Sequence, residues 1–116
     1  MTHVWSREVD SVLSVGRPLT DIGVRNWGLT KKDVLQALDH LAAMRVAVLG
    51  GDVYIVIDTK IRPSYDNWHC SPVGDSTIDF IDRSLCEARD YILKYKRQES
   101  EILYTLVPDI KSKHEA

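Results

Sequence analysis

Apolar residues along the chain repeat with two different periods, and the changes of period divide it into elements. From Val34 to Met44 the apolar positions Val34, Leu35, Ala37, Leu38, Leu41, Ala42 and Met44 recur every three or four residues. That stripe predicts an amphipathic helix over about 31–44. Its start is marked by Thr30, a hydroxyl placed to cap, by Asp33 three residues on, and by Leu29 and Val34 as a hydrophobic staple. Asp39 and His40 fall outside the stripe. The same signature recurs at Ser76-Thr77-Ile78-Asp79, followed by Ile78, Ile81, Leu85, Ala88, Ile92 and Tyr95 in helical steps, with Phe80 widening the stripe near its start. Asp79 and Asp82 open this helix and Lys94, Lys96 and Arg97 close it, the polarity that suits the helix dipole.

Between the helices the period shortens. Val46-Ala47-Val48-Leu49 and Val53-Tyr54-Ile55-Val56-Ile57 are β-branched and aromatic runs split by Gly50-Gly51-Asp52. Two glycines reach positive φ cheaply, so a hairpin turning at 50–52 is expected. The second run is apolar at nearly every position, as in a central strand. Residues 101–107 read as a further strand stopped by Pro108, and 65–70 as a short edge strand or a loop. Polar loops are expected at 58–64 and 70–76. A short helix over 4–15 would turn Trp5, Val9, Val12 and Leu13 inward and end near Gly16 and Pro18. The expected fold class is α+β, a small, mainly antiparallel sheet of three to four strands with two to three helices packed on one face. Residues 1–110 would form one such domain, and the polar tail 111–116 would fray.

Composition narrows the function classes. With 15 Lys+Arg against 17 Asp+Glu the net charge is −2, against a binder of nucleic acid that works by neutralising phosphates. No apolar run approaches the roughly 20 residues of a membrane span, and the start Met1-Thr2-His3-Val4-Trp5-Ser6-Arg7-Glu8 has no secretory pattern, so a cytoplasmic location is expected. Cys70 and Cys86 are too sparse for a disulfide framework. His3, His40, His69 and His114 show no metal-ligand spacing, so neither metal nor cofactor is expected.

Tyr65-Asp66-Asn67-Trp68-His69-Cys70 is the densest cluster of reactive side-chain types. A Cys70 nucleophile with His69 as base is unfavourable, because neighbours on an extended strand point to opposite faces. Asp75, Asp79, Asp82, Glu87 and Asp90 put carboxylates along the second helix, either a docking patch or a solvated face in which Arg83 and Arg89 interleave. Trp27 and Trp68 each follow an Asn, and each reads as a packing aromatic or as an interface anchor.

The runs Asp21-Ile22-Gly23-Val24-Arg25-Asn26-Trp27-Gly28-Leu29-Thr30, Val48-Leu49-Gly50-Gly51-Asp52-Val53-Tyr54 and Tyr65-Asp66-Asn67-Trp68-His69-Cys70, followed by Ala88-Arg89-Asp90-Tyr91-Ile92 and Leu106-Val107-Pro108, resemble the bacterial immunity protein 40 family. The resemblance covers about Val9 to Ile110. It implies a non-enzymatic, cytoplasmic α+β protein of a polymorphic toxin system, whose partner is a cognate toxin domain, and it supplies no catalytic residues. The partner-binding surface is expected around Asp52, Tyr54, Tyr65, Asp66 and Trp68 if 65–70 pairs beside 53–57. The rival expectation is that Tyr54 and Trp68 fill the core. Two other functions compete: a small hydrolase or metal-dependent enzyme using His69 with Asp66 or Cys70, and an adaptor that homodimerises through a sheet edge.

Overall fold

The hydroxyl caps and the apolar stripes set the two long helices of the structure, a computed structural model that describes residues 3–98 and 101–110. The tail expected over 111–116 lies outside the described residues. Helix α1 spans Arg7–Leu13, shorter than expected, because residues 4–6 fold back instead of continuing it. The Asp10 carboxylate accepts from the Val4 and Trp5 amides, and Ser6 caps the helix by accepting from Val9. Val9 and Leu13 are fully buried. Helix α2 spans Lys31–Ala43, with Thr30 capping the Asp33 amide at 3.2 Å. It ends in a paired-amide stop: Arg45 donates to Ala42 O and Val46 to Leu41 O, with Arg45 at φ 59° where glycine is usual. Helix α3 spans Thr77–Lys94 and is capped in the same way by Ser76. Ala42 and Ile78, counted in the stripes, are exposed; Phe80 holds the inward position at that end of α3.

Among the described residues, two ten-residue strands and four short ones make up two sheets. Strands β1 (Arg17–Pro18) and β2 (Trp27–Gly28) make a small ribbon. Strand β3 (Val48–Ile57) is central, pairing antiparallel with β4 (Lys60–His69) on one side and with β5 (Ile102–Tyr104) and β6 (Val107–Pro108) on the other. Leu29 exchanges two 2.8 Å backbone hydrogen bonds with Tyr104, joining the ribbon to the outer edge of β5.

The expected turn at Gly50-Gly51-Asp52 is overturned: β3 runs straight through it. The reversal comes at Asp58 and Thr59, both at positive φ (50° and 67°), so the polar loop expected at 58–64 is a two-residue turn followed by strand. Glycine serves close approach instead. A Cβ at Gly51 would collide with the Thr105 carbonyl and the Trp68 ring, and one at Gly50 with the Trp68 carbonyl. The strand expected over 101–107 is likewise broken in two. At the break Thr105 replaces the ladder locally, its amide donating to Asp52 O and its hydroxyl accepting from the Asp52 amide, each at 2.9 Å.

The main core lies between the sheet and the three helices, with Leu38, Leu41, Val48, Val53, Leu85, Ile92 and Leu106 among its members. Ser84 ties α3 to the sheet, accepting from the Val48 amide and donating to Ile81 O, both buried. The opposite face of β3 is covered as well: Tyr54, Leu19 and Leu103 form a second cluster with Val24, Val56 and Ile61. This explains why the strand is apolar on both alternations.

Candidate functional site

Strand β4 is the sheet's outer edge, and its burial alternates, so successive side chains go to opposite faces. Asp66 and Trp68 face α3. The Trp68 ring stacks on Tyr91 at 4.8 Å between centroids, Tyr91 lies 5.7 Å from Tyr95, and Tyr95 meets Tyr104 edge-on at 5.9 Å. The row exists because Tyr95, the C-cap, follows Tyr91 by four residues at the end of α3 and β4 runs beside that face. Trp68 is half-buried, and its indole Nε1 is buried with no acceptor among the described residues. Beside the row a groove of about 510 Å³ opens, lined by Trp68, His69, Glu87, Asp90, Tyr91 and Lys94 among others.

Asp66 fixes this arrangement. The Tyr95 hydroxyl donates to its Oδ2 at 2.6 Å, and Arg97 Nη1 reaches the same oxygen at 3.2 Å. The Tyr95 bond, followed by Arg97, holds the Asp66 carboxyl below its ordinary value despite some desolvation. Burial, with the bond to Asp66, pushes the Tyr95 phenol up.

Between Asp52 and Tyr54 the β3–β4 register slips, and β4 bulges over 64–66. Ser64 Oγ donates to Val53 O at 2.7 Å and accepts from the Asp66 amide at 3.1 Å, while Asn67 Nδ2 donates to Tyr65 O at 3.3 Å. Tyr65 sits at the crest with φ 69°, 85% exposed. Its side chain makes no hydrogen bond among the described residues.

Of the five expected partner-binding residues, the fold brings Asp66 and Trp68 together on the α3 side. Asp52 is exposed and pairs in register with Asn67. Tyr54 is turned into the second cluster, only 8% exposed, with its phenol raised by burial and by Asp52. Tyr65 stands apart on the bulge. Tyr91, Tyr95 and Arg97 belong to the same constellation, though the sequence marks them only as part of a family-like run, a stripe position and a helix-closing base, not as site residues.

The remaining chemistry-bearing groups are engaged elsewhere. His69 is exposed with its Nε2 against Ser71 Oγ at 2.8 Å, while Cys70 is buried and its thiol is raised, burial first and Glu87 next. The two point apart, as strand geometry requires. Arg83 closes the loop beyond Cys70: it donates to Asp75 Oδ2 at 2.8 Å, to Glu87 Oε2 at 2.9 Å, to Ser71 O at 2.7 Å and to Cys70 Sγ at 3.3 Å. Its hydrogen bond, with that of the Val73 amide, brings the Asp75 carboxyl down to about 2. Arg89 pairs with Asp39 on α2, and Lys94 with Asp90. Much of the carboxylate row on α3 is thus balanced by interleaved bases.

Among the described residues no group of three or more His, Cys, Asp or Glu is placed to hold a metal ion, and no helix is long and apolar enough to cross a membrane. No curated protein and no solved structure matches the chain. The family described as Immunity protein 40 matches it over residues 18–108.

Proposed function

The chain belongs to the immunity protein 40 family, and from that premise we propose that it is a non-enzymatic, cytoplasmic bacterial protein that binds a cognate toxin domain and neutralises it by occlusion. The observation that carries this reading is the match over nearly the whole fold, from β1 to β6. The β4 side of the molecule supplies a suitable surface. Half-exposed Trp68 and Tyr91 are already stacked, and Asp66 is already bonded, so little side-chain freedom is lost on docking. The toxin would be met along the β4 edge, with Asp66 and Trp68 presented on its α3 side and Asp52 and Tyr65 on the other, where Tyr54 supports the sheet. These are the centre of an interface that needs roughly 20–30 residues a side.

The hydrolase alternative is disfavoured by what its residues do. Asp66 is committed to Tyr95 and Arg97, Cys70 lies under Arg83, and His69 points away from both toward Ser71.

The test is co-expression with a candidate toxin domain taken from the gene immediately upstream. Growth should be rescued, and the two purified proteins should form a stable complex. Rescue without any complex would overturn neutralisation by binding.

A further inference from the structure

Four described residues other than glycine have positive φ, and three have a local reason. Arg45 ends α2, while Asp58 and Thr59 make the two-residue turn. Tyr65 is the fourth, in the middle of an edge strand. The bulge needs one residue in the left-handed region, where glycine fits without penalty and a bulky side chain does not. The conformation is over-determined by its neighbours: Ser64 bonds both Val53 O and the Asp66 amide, Asn67 holds the Tyr65 carbonyl, and Asp66 is pinned to α3. None of those contacts uses the Tyr65 side chain. The fold asks for glycine here, and the sequence supplies a large aromatic that is 85% exposed. A bulky residue in a conformation that costs the fold, with its side chain this exposed and without a hydrogen bond among the described residues, points to a reason outside the fold.

We infer that Tyr65 is a preorganised anchor, inserted into a pocket on the toxin domain; this rests on the immunity reading above. The edge itself points to a pocket in preference to an added strand. Pro63 has no amide to donate, and the bulge breaks the spacing that a partner strand would have to match. The charges that flank Tyr65 along the β4 edge bear on the pocket's rim. Exposed Arg62, three residues before it, has no ion-pair partner among the described residues. Asp66, one residue after it, is already balanced by Arg97. On the far side, Asn67 is registered with exposed Asp52. The complementary pocket therefore accepts a phenol ring, carries a carboxylate on the side facing Arg62, and carries a cation or N–H donor on the side facing Asp52.

The experiment compares wild type, Tyr65→Gly, Tyr65→Phe and Arg62→Glu, each by melting and by titration with the purified toxin domain used in the co-expression test. Tyr65→Gly should melt at the same or a higher temperature, yet bind at least about thirtyfold more weakly. Tyr65→Phe should keep most of the affinity. Arg62→Glu should slow association, most strongly at low salt. Undiminished binding by Tyr65→Gly overturns the anchor and leaves the immunity reading standing. A melting midpoint lowered by more than a few degrees in Tyr65→Gly also overturns it, because the side chain would then serve the fold. Unchanged association of Arg62→Glu overturns the acidic rim. If wild type itself does not bind, the immunity reading fails and the anchor falls with it.

Discussion

Tyr95 and Asp66, 29 residues apart in sequence, are joined by a 2.6 Å hydrogen bond that closes the bulged edge strand onto the last turn of α3. The phenol donates and the carboxylate accepts, so the bond favours the ionised acid and depresses its pKa. A depressed carboxyl contributes stability above its unfolded value, near pH 4, and loses it as pH falls through the folded value.

In Tyr95→Phe the Asp66 carboxyl should therefore titrate closer to the ordinary aspartate range, read by NMR of the side-chain carboxyl. The melting difference between wild type and variant should be largest at neutral pH and shrink below about pH 4. A difference that persists unchanged into acid would assign the effect to ring packing alone.

Arg83 holds a second acid-sensitive closure. Asp75, at about 2, contributes stability present above its ordinary range and lost as pH falls toward 2. Arg83→Ala should raise the Asp75 pKa and flatten the acid limb of stability in that window. It should also uncover Cys70, 2% exposed in the wild type. Thiol labelling should then show one fast site in the wild type, at exposed Cys86, and two in the variant.

Ser84 is buried with both of its hydrogen bonds made. Ser84→Ala leaves the Val48 amide without its partner inside the core and should cost about 1–3 kcal/mol in denaturant unfolding. A cost under a few tenths would mean that Val48 finds another acceptor.

The β3–β4 turn can be improved. Thr59 is β-branched at φ 67°, where glycine is favoured. Thr59→Gly should relieve more strain than it adds in unfolded-chain entropy, stabilising the protein by about 0.5–1 kcal/mol. Gly51→Ala is the counterpart: its new methyl meets the Thr105 carbonyl and the Trp68 ring, and overpacking of this kind costs about 1–3 kcal/mol.

The glycines also show where the sequence was legible. Thr30 with Asp33 and Ser76 with Asp79 announce α2 and α3 because a cap and its amide lie within one turn of each other. Gly50-Gly51 misleads because the demand for glycine comes from Trp68 and Thr105, 17 and 54 residues away from Gly51, and no local pattern records that. Asp58-Thr59 turns the chain with little of the usual composition. In the candidate site, the 65–70 cluster stood out by residue type. Its order depends on Tyr91, Tyr95 and Arg97, which only the packing of α3 against β4 brings within reach.

Residues 102–108 fill the slot between β3 and Leu29, and Thr105 stitches itself to Asp52 at the gap. The β3–β4 hairpin closes over a few residues, whereas this insertion joins partners some 50 to 75 positions apart and carries most of the loop-closure entropy. During synthesis the hairpin can form early, but the slot beside β3 stays open until residue 108 has left the ribosome. Until then the central strand presents an unpaired edge, a template for mispairing with another nascent chain.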